Sequence, residues 1–345
     1  MKIALFVNDI EAEEPRYATT RLAMTAADRG HEVWYIGTGD FEYTADERLA
    51  ARARRAPTNK RKREAFIEAL SADEPEPIDV ECLDVLFLRN DPAVDFVDRP
   101  WAQSAGVIFG ELAADRGVLV VNNPAGLSKA TNKLYFQQFP QKLRPATLIT
   151  RDPASVRDFV DQHERHAVLK PLQGSGGQNV FLIRPDDGPN LAQMIDAVSR
   201  DGYIVAQEYL PAAAEGDVRM FLIDGQPLAL GDEYAAFRRV RKGEDMRSNM
   251  HAGGTAEPAK VDDTMLAIAE ACRPRLIQDG MFFVGLDIVG DKLVEVNVFS
   301  PGGLNILHGL TGVNFAVPLV EALERKVAFR DEDPNGLSNA ELATL

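Results

Sequence analysis

Cysteine is nearly absent from the chain: two residues in 345, Cys82 and Cys272, far apart and with no CxxC or nearby His pair. A disulfide framework and a thiolate zinc site are both excluded, and a reducing compartment fits. Long apolar runs are missing as well. No window approaches the ~18 uninterrupted apolar residues of a membrane span, the longest candidates being broken by Asp287 or by Asp115 and Arg116. The run from Lys2 to Val7 stops at Asn8 and Asp9 with no small-residue cleavage site beyond, so it reads as a first strand and not a signal peptide. A cytoplasmic protein is expected. Positive charge is in deficit: 38 Lys and Arg face 53 Asp and Glu, a formal charge of −15 that repels nucleic acid backbones and anionic lipid. No nucleic acid or membrane partner is expected, and an anionic substrate needs a local basic pocket. The five histidines, at 31, 163, 166, 251 and 308, show no ligand spacing, and no Ser, His and Asp set can be argued from position. Structural or surface roles are expected for all five.

What is present is a globular composition, 45% hydrophobic and 26% charged, long enough for two or three packed units at ~150 residues each. Residues 2–36 read as strand, helix, strand: an apolar run to Val7, helical spacing from Tyr17 to Arg29 ended by Gly30, and a β-rich run from Glu32 to Ile36. A parallel βαβ unit follows. The loop after its first strand, residues 8–15, contains no glycine, which disfavours a dinucleotide site. Further buried-type strands are read at Val85–Leu88, before Arg89, and at Val118–Val121. The basic run 52–63 reads as a solvated helix and loop face without an assigned role.

From Asp152 the pattern becomes α+β. Asp152-Pro153 is an N-cap followed by proline at the first helical position. Strands are expected at Ala167–Leu172, Asn179–Ile183 and Tyr203–Gln207, with a helix from about 190 to 200. Asp224-Gly225 and Gly290-Asp291 mark two tight hairpins, and residues 261–278 read as a helix kinked at Pro274. The polar, turn-rich end from Arg330 to Leu345 reads as a partly ordered tail.

Three constellations carry chemistry. Lys170 precedes a loop with glycines at 174, 176 and 177, which suits backbone approach to an oxyanion, though a plain glycine hairpin explains the same letters. Glu295 and Asn297, two apart on a strand, share a face, and a hairpin brings Asp287 beside them. Three hard oxygen donors suit Mg²⁺, the alternative being the solvent face of an edge strand whose Val294, Val296 and Val298 point inward. Arg219, Arg238, Arg239, Arg241, Lys242 and Arg247 form a basic set suited to phosphoryl and carboxylate oxygens, or simply exposed on a loop.

These segments, in order, resemble the ATP-grasp superfamily, and most closely the bacterial glutathione synthetases: Val85 to Pro92; Asn132-Lys133-Leu134; Val168-Leu169-Lys170-Pro171-Leu172 with Gly174-Ser175-Gly176-Gly177; Gln207-Glu208-Tyr209-Leu210-Pro211 with Gly216-Asp217; Arg247-Ser248-Asn249 leading to Ala252-Gly253-Gly254; and Val284 to Asp287 with Glu295-Val296-Asn297 and Ser300-Pro301. The resemblance implies an α/β protein with a Rossmann-like N-terminal substrate domain (1–124), then an ATP-grasp fold of two α+β subdomains, a small lid (125–206) and a C-terminal part with the metal site (207–329), then the tail (330–345). It implies ATP with Mg²⁺ or Mn²⁺, small amino acid or peptide substrates, and a homo-oligomer. Lys133 and Lys170 would meet ATP phosphates under a lid formed by Gly174, Ser175, Gly176 and Gly177. Glu208, Tyr209 and Leu210 would flank adenine, and Asp217 would hold ribose. Asp287, Glu295 and Asn297 would carry the metal. Arg219, Arg247 and Asn249 would face the transferring phosphoryl group, with Arg89, Ser300, Gly302 and Gly303 toward substrate.

The implied reaction is carboxylate activation by ATP followed by amide formation. Phosphoryl transfer of this kind needs positioning and charge neutralisation but no protein nucleophile, which suits a chain without a triad. The glycine loop and the segment 235–254 are expected to close over the site and keep water from the activated acid. Gly302-Gly303-Leu304-Asn305-Ile306-Leu307 departs from the family pattern where the acceptor should sit, and the first loop is longer and more acidic, so the acceptor remains open. The di-glycine is either a nest for a carboxylate or a point of close backbone approach. A nucleotide-binding regulator of the same fold is the alternative of another class.

Overall fold

A computed structural model describes residues 1–174, 179–188, 190–200, 202–240, 255–333 and 336–345. The chain begins β1 (Lys2–Val7), α1 (Ala18–Asp28), β2 (Glu32–Gly37), β3 (Phe41–Tyr43), β4 (Leu49–Arg55), α2 (Arg63–Ala72), β5 (Glu76–Asp79) and β6 (Val85–Leu88), then α3 (Ala105–Asp115), β7 (Leu119–Val121) and α4 (Pro124–Lys129). β1 pairs in parallel with β2 and β6, and β6 with β7. These are the runs of consecutive apolar residues expected where helices cover both faces of a sheet. The sheet order is β3-β4-β2-β1-β6-β7, with β5 on β4.

The basic run is only partly the expected helix and loop face: residues 58–62 are an exposed loop leading into α2 at Arg63, whereas residues 52–55 belong to a strand. Residues 49–55 are strand β4, antiparallel to β2, β3 and β5, because Leu49, Ala51 and Ala53 alternate inward while Arg52 and Arg54 leave by the other face. Period two decided the local structure over the charge.

A second, antiparallel sheet follows from β8 (Thr147–Thr150), α5 (Pro153–Gln162), β9 (Ala167–Pro171), β10 (Phe181–Ile183), α6 (Leu191–Ser199) and β11 (Ile204–Glu208), in the order β10-β9-β11-β8. Asp152 caps α5 by accepting from the Ala154 and Ser155 amides, as its sequence position requires. The two helices pack on one face around Val156, Val160, Leu169, Ile195 and Ile204, a core of their own.

The third sheet is built from β12 (Asp217–Ile223), β13 (Gln226–Pro227), a small hairpin of β14 (Ala229–Leu230) and β15 (Glu233–Tyr234) beside it, β16 (Ala236–Val240), β17 (Thr255–Pro258), α7 (Asp263–Gln278, with Pro274 inside it), β18 (Phe283–Val289) and β19 (Lys292–Asn297). Its order is β17-β16-β12-β18-β19, all antiparallel. Asp224 and Gly225 turn the β12–β13 hairpin with φ of 52° and 70°, the left-handed pair that a two-residue turn of the primed type demands. This sheet shares its apolar core with the first one: Phe87 meets Phe282 edge-on, and Asn122 after β7 donates to Phe283 O and accepts from Phe283 N.

The chain closes with α8 (Leu304–Thr311), α9 (Ala316–Glu332) and α10 (Asn339–Ala343). The expected loose tail is a docked helix. Leu342 and Ala343 are buried, Ser338 and Glu341 form a capping box, and the Asn339 amide bonds both backbone atoms of Val120 at 2.9 Å and Asn123 Oδ1 at 2.9 Å. One amide therefore extends the edge strand β7, a contact across 219 residues. Asn339→Ala should lower unfolding free energy by about 2 kcal/mol, from the loss of partly buried hydrogen bonds. A urea midpoint equal to wild type would show that this end contributes nothing to the fold.

Candidate active site

β12, β16 and β18 place a line of charge across the third sheet. Direct cross-strand partners are Arg219 with Asp287 and Asp217 with Arg239, so opposite charges face each other by register alone. Arg219 grips Asp287 with two parallel bonds of 2.7 Å, Nε to Oδ1 and a terminal nitrogen to Oδ2. Arg239 bridges the row: it donates to Asp217 through Nε at 2.8 Å and lies 2.6 Å from Asp287 Oδ2. Asp287 is buried, and its two arginines outweigh the cost of burial, holding its carboxyl well below the usual range.

Asp217 is buried and accepts from Arg239, and like Asp287 and Arg219 it stands behind the residues that line the cleft. Arg239, named only as one of a basic set, is the bridge of the network. Its register opposite Asp217 was the available signal.

The edge strand β19 carries Glu295 and Asn297 through an irregularity. Ile288 pairs with Leu293, but Asp287 pairs with Glu295, so Val294 is an extra residue in a β-bulge. The bulge reverses the alternation. Leu293 lies in the core, and without Val294 the period of two would send Glu295 and Asn297 to that same side. Val294 consequently lines the cleft and does not point inward as the sequence pattern suggested. Asn297 Nδ2 reaches Gly285 O and Asp287 Oδ2, both at 3.4 Å. The three expected metal ligands are thus neighbours.

Glu295 and Asn297 form one wall of a cleft whose other walls hold Lys133, Lys170, Gly174 and Ser300. Lys133 donates to Pro171 O at 3.0 Å and Gly174 O at 2.7 Å, and Lys170 donates to Gln207 Oε1 at 3.0 Å. Burial pulls the Lys133 ammonium down to about 8, with Glu295 opposing and Lys170 adding to the fall. Lys170 is lowered by burial too, again opposed by Glu295. Two desolvated cations facing an acidic wall make a site for an anion together with a hard cation. Gln207, read in the sequence only as part of the hinge motif and given no role there, lines the cleft and holds Lys170.

The hinge lies outside the cleft lining. The Glu208 carboxylate accepts from the Ala146 amide at 3.0 Å, and Tyr209 stacks on His166 with ring centres 4.0 Å apart, beside Leu210. Arg247, Asn249, Ser175, Gly176 and Gly177 lie outside the described residues, as do Arg241, Lys242 and most of the proposed closing segment. Gly303 has φ of 125°, and a Cβ there would stand 2.6 Å from Phe237, so close approach explains this glycine; Gly302 has open space.

Arg89, at the end of β6, is 3% exposed and lies over the rings of Phe87 and Phe283. It donates one bond, to Pro301 O at 3.1 Å. Burial lowers it to about 10, and burial raises the Glu13 carboxyl of the first loop to about 7 despite the attraction of Arg89.

The fold defined by this architecture is that of ATP-grasp ligases: a RiPP-associated ATP-grasp ligase of Chryseobacterium gregarium, in complex with ADP and a leader and core peptide, superposes with a TM-score of 0.62 at 12% identity over 94% of this chain and 97% of its own. PsnB, complexed with a phosphomimetic minimal precursor, Mg and ADP, superposes at 0.61 with 18% identity over 94% and 98%. Within that class the chain belongs to the prokaryotic glutathione synthetase family, whose N-terminal domain matches residues 1–128 and whose ATP-grasp domain matches residues 132–312. The glutathione synthetase of Synechococcus elongatus is 34% identical over 95% of this chain and 99% of that protein. Those of Vibrio cholerae (36% over 71% and 74%) and Escherichia coli K12 (32% over 89% and 92%) are similar. The protein is an ATP-grasp ligase that uses ATP, and no helix among the described residues is long and apolar enough to cross a membrane.

A test of the Arg89 environment follows from Glu13. Its folded carboxyl keeps a proton that the unfolded chain, at 4.5, has already lost. Stability contributed below that value is therefore lost as pH rises through about 7. Glu13→Gln should melt close to wild type near pH 5 and clearly higher near pH 8. The same difference at both values would mean that the carboxyl is solvated.

Proposed function

We propose that the protein joins γ-glutamylcysteine to glycine with ATP, giving glutathione, ADP and phosphate. The juxtaposition of Lys133 and Lys170 with Glu295 and Asn297 across one cleft supports this most directly. A cysteinyl carboxylate oxygen attacks the γ-phosphorus, the bond to the β-phosphate oxygen breaks, and ADP leaves. The glycine nitrogen then attacks the acyl carbon, the bond to phosphate oxygen breaks, and the amine proton is released.

In this reading Lys133 and Lys170 hold phosphate oxygens, and the loop of Gly174, Ser175, Gly176 and Gly177 covers them. Glu208, Tyr209 and Leu210 border the adenine. Arg219, with Arg247 and Asn249, steadies the acyl phosphate, and Asp217 acts through Arg239. Ser300 and the Gly302-Gly303 turn border the acceptor.

The donor set fits Mg²⁺: Glu295 and Asn297 offer oxygens at the cleft, and Asp287 Oδ1 keeps a lone pair beyond the one Arg219 uses. When bound, the metal supplies neutralisation of phosphate charge. Two free cysteines and the acidic surface support a cytoplasmic setting, and the family resemblance a homo-oligomer.

Purified protein with Mg-ATP, γ-glutamylcysteine and glycine should release phosphate only when both partners are present and yield glutathione by mass. Glu295→Gln and Lys170→Ala should each lower kcat at least about 100-fold. Phosphate release with another amine alone would move the acceptor, in keeping with the divergent residues after Pro301. ATP binding with no release for any pair would favour the regulator.

A further inference from the structure

Behind the cleft lies a second set of polar groups that the ATP chemistry does not use. Arg89 Nε and one terminal nitrogen, Glu13 Oε2 and the Tyr35 hydroxyl are all buried and without a hydrogen-bond partner. Tyr35 is wholly buried and Arg89 nearly so. Tyr35 of β2 and Arg89 at the end of β6 stand on the two strands that flank β1, and Glu13 lies in the loop into which β1 leads, yet no ion pair joins Glu13 to Arg89. A carboxyl oxygen and guanidinium nitrogens buried without partners each cost free energy.

The backbone is held. Glu11 binds Arg54 of β4 at 2.5 Å, which gives the basic run a role. At the other end of the loop, Asn305 donates to Pro15 O at 3.2 Å and Tyr17 O at 2.7 Å, and Arg21 donates to Asn305 at 2.8 Å. The two stretches that depart from the family pattern, the acidic loop and the residues after Pro301, thus touch each other. Arg89 is bonded to Pro301, next to the cleft residue Ser300, and is followed closely by Asp91, which also lines the cleft.

We propose that Glu13 and Arg89 form a clamp for the free α-amino acid end of the carboxylate substrate, Arg89 taking its carboxylate and Glu13 its ammonium group. This deepens the proposed function and rests on it: the substrate end remote from the reacting carboxylate reaches from the cleft to Arg89, and the zwitterion completes the buried bonds that the protein alone leaves open. Specificity follows from the same orphaned groups. A substrate without the ammonium leaves Glu13 unpaired, and rejection by an unpaired buried group is strong.

Calorimetric titration of the full chain, with Mg²⁺ and a non-hydrolysable ATP analogue, would compare γ-glutamylcysteine with glutarylcysteine, which lacks only the α-amino group. Wild type should prefer the former by about 10-fold to 100-fold, the range of one charge-assisted hydrogen bond. Glu13→Gln should bind both alike, and Glu13→Asp should recover part of the preference. In turnover the Glu13→Gln loss should fall mainly on KM for the peptide. No preference in wild type, an unchanged preference in Glu13→Gln, or no binding of either peptide overturns the clamp. Preference without glutathione formation overturns the proposed reaction and leaves the clamp standing, whereas glutathione formation with an unaffected Glu13→Gln does the reverse.

Discussion

The pairing of Asp287 with Arg219 and Arg239 is the constraint on which the site depends. A lone carboxylate buried in the middle of a sheet would take up a proton or unfold its surroundings, and removing one partner of such a pair costs roughly 3–5 kcal/mol. Two arginines keep Asp287 ionised at the place where β18 meets the edge strand, and Asp217 keeps Arg239 from being a surplus cation. Because the partners sit opposite each other in register, the β-sheet itself assembles the network. The negative charge at the cleft wall is then an outcome of strand pairing and not of loop conformation.

The bulge at Val294 converts that buried charge into a usable surface. It rotates Glu295 and Asn297 out of the core phase so that they continue the acidic line from Asp287 toward Lys133 and Lys170. Lys170 comes from a different sheet with its own core, and Lys133 from the short helical turn after α4, so the cleft lies between two packed units, a common location for ligand sites. Burial weakens the hold of both lysines on their protons. They therefore gain from any anion that enters, which is the electrostatic condition for binding phosphate oxygens.

Much of this is legible in the amino-acid sequence. The cap at Asp152, the Asp224-Gly225 turn, the apolar runs of the parallel sheet and the two-residue spacing of Glu295 and Asn297 all follow local rules, and the structure obeys them. What escaped depends on distant partners. Nothing near Asn339 in sequence reveals that its amide completes the edge of β7, and only Leu342 and Ala343 hint at burial. The arginines of β4 hid an alternation of small apolar residues that was present all along. The bulge at Val294 has no local signature, because valine suits a regular strand equally well. Glu13 looked like one acid in an acidic loop, and only folding buries its carboxyl oxygen without a partner, as it does two nitrogens of Arg89.

The central claim is that the cleft activates a carboxylate by making it an acyl phosphate. The direct measurement is to supply γ-glutamylcysteine carrying heavy oxygen in its cysteinyl carboxylate, with Mg-ATP and glycine, and weigh the phosphate released. Transfer of the label from the carboxylate into phosphate is the predicted result. Glutathione formed with unlabelled phosphate would contradict the account.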